Sequence, residues 1–300
     1  MNRVVQHPVK AFAVALAAVA VLSIMDAVMK HLVLVIGIVA VSVWRAIANF
    51  AISAVLYLPT RSGWPGRANL RIHVWRSVII TVMAFLFFWG IGRVPLAQAI
   101  ALTFIAPLIA LLLAAAVLHE KIGPRSIAGS LVAFGGVLVI VFGQARGGQD
   151  HDLLMGTLAI LGSALCYAVN IVMMRHQALA AKPLEINFFQ CLSILAIWLA
   201  ALPFIGLPHW PGVHWLWVAV AATLSTSGTL LFAWAYARGE ASYLAATEYS
   251  GFLWAALCGW IVFHEQLSLY TLAGAALIVG GCFVAARRTI TEPPEIDLAA

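Results

Sequence analysis

Charge is what this chain has least of. Only 9% of its 300 residues are Asp, Glu, Lys or Arg, against roughly 25% in soluble domains, too few to clothe a surface that meets water on every side. Cysteine is scarce as well. Cys166, Cys191, Cys258 and Cys282 lie far apart, with neither a short metal-type spacing nor a disulfide framework, so buried structural thiols are expected and a metal site is not. Several catalytic motifs are missing. A zinc-protease helix would need a second His three residues after Glu120 or Glu265, where Gly123 and Ser268 stand. Ser225-Thr226-Ser227-Gly228 lacks the leading glycine of a Gly-x-Ser-Gly, and no glycine-rich loop runs into Lys-Ser or Lys-Thr. Asp150-His151-Asp152 reads as a solvated connector. No catalytic residue and no cofactor is expected.

What the chain has in abundance is apolar sequence: 64% hydrophobic residues and a mean hydropathy of +1.02. Crossing roughly 30 Å of hydrocarbon at 1.5 Å per residue takes about 20 apolar residues. Such runs are predicted near 10–30, 33–58, 74–92, 96–118, 125–143, 153–174, 186–206, 214–237, 241–263 and 267–286. The expectation is an all-α integral membrane protein with ten transmembrane helices. The polar, proline-broken residues 289–300 read as a disordered cytoplasmic tail.

The ten spans are five spans written twice. His119-Glu120 recurs 145 residues later as His264-Glu265, and the same offset carries Phe87, Trp89 and Arg93 onto Phe232, Trp234 and Arg238, Gly129 onto Gly274, Gly135-Gly136 onto Gly280-Gly281, and Lys30 onto Arg175. Apolar sequence matches Ala and Leu by chance, but not Trp, Arg, His-Glu and Gly-Gly together, so residues 1–145 and 146–288 read as two copies of one unit. Five helices per copy force the second copy to enter the membrane from the opposite face. The halves are therefore expected to be inverted and to pack around a central cavity.

Orientation follows from the basic residues in short loops. With the N-terminus in the cytoplasm, thirteen of the 17 Lys and Arg, Arg76 among them, fall inside; Lys30, Arg93 and Arg146 fall outside, and Arg45 lies within a span. Both termini are thus expected in the cytoplasm of a cell with an anionic inner leaflet. The net charge of +6 is accounted for by that leaflet rather than by nucleic acid. Removing the first apolar run as a secretory signal would leave five helices facing four, so it reads as retained.

Inverted repeats around a midplane site are a plan of secondary transporters. The partners expected are the lipid bilayer, a small-molecule substrate and protons. Candidate site residues are those that break the apolar pattern at depth. Arg45 sits mid-span, where a charge is costly unless paired or wetted. Depth along the helices nominates Glu248 as its partner, with Asp26 assigned instead to Lys30 at i, i+4. Thr103, the repeat mate of Glu248, precedes Pro107 by one turn, and a mid-helix proline frees the Thr103 carbonyl. Tyr249 falls in the matching stretch of the other half. Trp89 and Trp234, with Trp44, Phe85, Phe88, Tyr236, Tyr243 and Trp254, are candidates to line a cavity by stacking. Glu248 is the candidate coupling carboxylate. Gly129 with Ala133 and Ala276 with Gly280 are small-xxx-small pairs that allow close helix contact. An intramembrane enzyme acting on a lipid-borne substrate would need a nucleophile–base or metal constellation at one depth, and a membrane scaffold would need a loop or domain for its partner.

In each half a Glu is followed by Gly nine residues on and by Gly-Gly at fifteen and sixteen: Glu120, Gly129, Gly135-Gly136, and Glu265, Gly274, Gly280-Gly281. With ten spans in two copies, this resembles the drug/metabolite transporter superfamily, EamA type, over essentially the whole chain. The resemblance implies a basket-shaped ten-helix fold, cytoplasmic termini, and ATP-independent movement of a small organic solute across the inner (plasma) membrane. Met25-Asp26-Ala27, Lys30 and Arg45 further resemble a subgroup described as uptake systems for compounds such as S-adenosylmethionine or riboflavin.

Overall fold

The computed structural model describes residues 8–60, 66–118, 124–146, 151–178, 183–238, 244 and 247–286, and no strand occurs among them. The helices are α1 (Pro8–Ile36), α2 (Ile38–Tyr57), α3 (Arg67–Ile91), α4 (Leu96–Thr103), α5 (Ala106–Leu118), α6 (Pro124–Arg146), α7 (His151–Ala178), α8 (Pro183–Ile205), α9 (Trp215–Tyr236), α10 (Ser250–Phe263) and α11 (Leu269–Ala286). The tail after 288, Tyr243 and the His119-Glu120 pair lie outside the described residues.

Local sequence sets the boundaries. Proline opens α1, α6 and α8, at the first helical position where a missing N–H has no partner to lose. Gly37, at φ 81°, separates α1 from α2, so α2 begins five residues later than the apolar run suggests. His264 ends α10 in the left-handed region, φ 54°, and the Glu265 amide donates to the Gly259 carbonyl at 3.1 Å. That 6→1 bond closes the helix end and sets the direction of the Glu265 side chain.

Among the described residues, six helices are long and apolar enough to cross a membrane. The predicted spans 96–118, 125–143 and 267–286 are covered by α4 with α5, by α6 and by α11, and the described part of the span 241–263 holds α10. Large apolar side chains such as Phe204, Trp210, Leu253 and Trp260 are exposed on the outside of the bundle, as a lipid-facing surface requires.

Packing follows the 145-residue offset. Helix α1 packs on α9 as α7 packs on α3, α2 on α9 as α8 on α3, and α1 on α10 as α7 on α4 and α5, while α2–α8, α4–α10 and α6–α11 map onto themselves. The α6–α11 contact is closest. A Cβ placed on Gly136 would stand 2.6 Å from the Gly274 carbonyl oxygen, and one on Gly281 would stand 2.5 Å from that of Gly129. These two contacts interchange under the offset. Ala133 joins them, fully buried, but Ala276 and Gly280 are exposed, so this second small-residue pair does not make the contact. The α11 face that carries Gly274, Ile278 and Gly281 makes it instead.

Candidate functional site

The fourth span is broken where the proline predicts. Helix α4 stops at Thr103, and α5 resumes at Ala106. Between them the amides of Phe104 and Ile105 bond three residues back, to Ala101 and Leu102, and the Thr103 hydroxyl donates to the Ile100 carbonyl at 2.7 Å. Pro107 supplies no N–H to the Thr103 carbonyl. The ninth span is irregular at the matching place. Tyr249 is a turn residue; the Thr247 hydroxyl donates to the Leu244 carbonyl and that of Ser250 to the Thr247 carbonyl, both at 2.6 Å.

The two irregularities meet. Phe104 and Tyr249 are repeat mates, and their rings cross edge to face with centroids 5.3 Å apart. Phe283 lies against Tyr249 at 5.4 Å, and the Cys282 thiol donates to the Phe104 carbonyl at 3.4 Å. Carbonyls released by helix breaks thus gather where the halves touch, inside protein rather than lipid.

The charged residues are sorted differently from the sequence expectation. Lys30 does not pair with Asp26. Its ammonium donates to the Val94 carbonyl at 2.6 Å and to Glu265 Oε1 at 2.5 Å, while Glu265 Oε2 accepts the Leu96 amide at 2.8 Å. A single carboxylate therefore neutralises a buried lysine and caps α4. The i, i+4 spacing lost to this arrangement because the charge of Glu265 arrives with a helix cap attached.

Arg45 does not pair with Glu248. Because α2 starts at Ile38, Arg45 lies only about 10 Å below that end at 1.5 Å per residue, whereas Glu248 is about 22 Å from the end of α10 at Phe263. The Arg45 guanidinium stands 4.8 Å over the Phe88 ring. Its Nε is buried with no hydrogen-bond partner, as is Oδ1 of Asn49 one turn on. Glu248 instead accepts the Tyr236 hydroxyl at 2.5 Å. The depth estimate left a gap of about 10 Å between the two residues, and their side chains do not bridge it.

Trp89 and Trp234 lie at helix ends. Arg93 covers the Trp89 ring at 3.5 Å and Arg238 covers Trp234 at 4.4 Å, each donating to that tryptophan's carbonyl. These repeat-related cation–π pairs suit residues at opposite membrane faces.

One polar cluster escaped the sequence analysis. Arg76, placed there in a cytoplasmic loop, belongs to α3, is 8% exposed and donates through Nε to Asn170 Oδ1 at 2.8 Å. His73 beside it is 2% exposed, 3.8 Å from Glu185, and stacked on Phe189. Arg67, Arg71 and Arg76 made the stretch look like a loop, although Arg67 and Arg71 stand four residues apart, one helical turn. Among the described residues, no group of three or more His, Cys, Asp or Glu could hold a metal ion.

Apolar helices in two interleaved sets, with paired breaks at their junction, define a multi-pass membrane protein of the transporter type. The sequence profile of the EamA-like transporter family matches twice, over residues 9–142 and 154–287, and the chain belongs to that family. A riboflavin transporter of Brucella anthropi is 27% identical over 80% of this chain and 86% of its own. A pseudopaline exporter of Pseudomonas aeruginosa is 26% identical over 71% and 73%. A solved crystal structure 21% identical in sequence shares the fold, with a TM-score of 0.61 over 92% of this chain and 96% of its own. The protein is a multi-pass membrane protein and a small-solute transporter of this family.

Proposed function

We propose that the protein is a secondary transporter that moves a small organic metabolite, an amino acid or a nucleoside-like or cofactor-like solute, across the inner membrane by alternating access. Residues 1–145 and 146–288 are inverted halves that rock about a central cavity bordered by Arg45, Thr103, Pro107, Glu248 and Tyr249. Both termini are cytoplasmic, and Trp89 and Trp234 act at the two mouths. The observation that carries this reading is the junction of Phe104 and Tyr249, where interrupted helices meet at corresponding positions of the two halves. Transporters place substrate and coupling-ion sites at such junctions. The relatives named for riboflavin and pseudopaline support a solute of metabolite size. Glu248, half-buried and bonded to a tyrosine hydroxyl, is the carboxylate on which a proton can load and leave as the halves move.

The test is uptake into liposomes by the purified protein, with a panel that includes riboflavin and amino acids, with and without an imposed pH gradient. Saturable uptake that falls at least tenfold in Tyr249→Ala is expected, with the response to the gradient lost in a folded Glu248→Gln protein. A folded protein that moves nothing across the panel refutes the transporter reading. Uptake that follows the gradient equally in Glu248→Gln refutes the coupling role.

A further inference from the structure

The 145-residue offset maps the contact between α2 and α8 onto itself, so each residue at one end has a mate at the other. The two ends are built from different chemistry. Where α2 ends and α8 begins, the cytoplasmic end in the orientation proposed above, Tyr57 stacks on Phe188 with ring centroids 4.7 Å apart. Phe50 flanks Phe188 at 5.8 Å, and the Asn187 amide donates to the Ser53 hydroxyl at 3.0 Å. The mates of Tyr57, Phe188, Ser53 and Asn187 are Leu202, Val43, Trp198 and Ser42, so the frame is built at the other end without a ring stack. There α2 is held by the loop after α8: Trp44 Nε1 donates to the His209 carbonyl at 3.0 Å, and its ring meets that of Trp210 edge to face at 4.8 Å.

The cytoplasmic contact is suited to parting. Tyr57, Phe188 and Phe189 form a small buried core of their own, separate from the main core that holds Met29, Phe88 and Leu102. Moving α2 from α8 at this end therefore leaves the main core closed. The groups that meet are also neutral. Water replaces a hydrogen bond such as that of Asn187 with Ser53 when the partners separate, so its net contribution is small. Parting the buried Lys30–Glu265 pair would instead leave charge unmatched. The charged contacts nearby, Arg76 with Asn170 and His73 with Glu185, join α3 to α7 and α8 and do not involve α2. Finally, Arg45, Asn49, Ser53 and Tyr57 follow one another at intervals of four residues, about one helical turn each. That stripe of α2 leads from the buried, unbonded Arg45 Nε and Asn49 Oδ1 to the hydrogen bond and the ring stack.

We propose that Tyr57 and Phe188, held by the Asn187–Ser53 hydrogen bond, are the inner gate of the transporter, shut in this structure and parted when the site beside Arg45 opens to the cytoplasm. The inference rests on the transporter reading above and adds to it the contact that moves. With the gate shut, a solute binds but does not leave inward.

The experiment joins the gate reversibly. Tyr57→Cys with Phe188→Cys in one chain, and each substitution alone, are reconstituted in liposomes and treated with a short bis-methanethiosulfonate, with riboflavin and the amino acids of the panel as solutes. In the paired variant the reagent is expected to lower uptake of the transported solute at least tenfold, with recovery on adding dithiothreitol, and to do far less in either single variant. Thermal stabilisation by that solute should survive the cross-link, because the gate closes the path and not the site. As a second measurement, which decides the matter if the paired variant is inactive before treatment, a thiol introduced by Ser53→Cys should react with N-ethylmaleimide at least threefold faster during uptake than without solute. Full transport by cross-linked protein, or reaction at position 53 that is indifferent to solute, overturns the gate and leaves the transporter reading standing. Failure of the paired thiols to cross-link does the same, as does loss of solute binding together with uptake. Absence of any transport by the folded, untreated native protein overturns both.

Discussion

Adjacent glycines in α6 and α11 should respond to the same substitution with opposite signs. A methyl on Gly136 would lie 2.6 Å from the Gly274 carbonyl oxygen and 2.8 Å from an Ile278 side-chain carbon, and one on Gly281 would lie 2.5 Å from the Gly129 carbonyl oxygen. Backbone is the obstacle in both cases, so the helices must part by most of an ångström. Overpacking of this kind costs roughly 1–3 kcal/mol. Gly135 and Gly280 have nothing within 4 Å of such a methyl, and there Gly→Ala gains up to about 1 kcal/mol of helix propensity. The contrast within each Gly-Gly pair is thus about 1–4 kcal/mol. At roughly 2–4 °C per kcal/mol in a protein of this order of size, Gly136→Ala and Gly281→Ala should melt about 2–16 °C below Gly135→Ala and Gly280→Ala in detergent. If Gly136→Ala is as stable as Gly135→Ala, α6 and α11 do not approach as described. If only one of Gly136 and Gly281 is sensitive, the packing lacks the repeat symmetry.

Removing the Glu265 carboxylate with Glu265→Ala strands the buried Lys30 ammonium and uncaps Leu96. A loss of about 3–5 kcal/mol is expected from breaking a buried pair, at the low end because the Glu265 side chain is 15% exposed. A thermal-unfolding double-mutant cycle with Lys30→Met should show non-additivity, and strict additivity would exclude the ion pair. Tyr236→Phe removes the donor to Glu248 and should cost about 1–3 kcal/mol while raising KM more than it lowers expression; an unchanged melting temperature would refute that bond. Asn170→Ala withdraws the acceptor of Arg76 Nε and should destabilise by about 1–3 kcal/mol. Asn170→Asp, which keeps an acceptor and adds a counter-charge, should recover most of that loss in the same assay.

Helix type and order could be read from the sequence because apolar length and the 145-residue offset do not depend on tertiary contacts. The break at Pro107 was legible for the same reason: proline acts on its own helix. Its meeting with Tyr249 was half legible, since the offset marks Phe104 and Tyr249 as mates but not as neighbours. Charge partners were not legible. Lys30 had Asp26 in helical register, yet it reaches Glu265 across 235 residues, and the choice depends on the closure of α10 at His264, a left-handed residue with no glycine to announce it. Arg76 and His73 were lost for another reason. Basic residues in the first turns of α3 satisfy the loop rule as well as the interior, and only packing against α7 and α8 distinguishes the two.

The capping of Leu96 by Glu265 has a consequence for how the chain is made. The N-terminus of α4, in the first half, waits for a carboxylate synthesised 169 residues later, and Lys30 waits longer still. During synthesis the first half is a sequence repeat but not an autonomous folding unit. Its fourth helix stays uncapped, and its lysine unneutralised, until the end of α10 has been inserted. A sensor of buried, unpaired charge would therefore read the arrival of the end of α10 at a single place, the junction of Lys30, Val94 and Glu265.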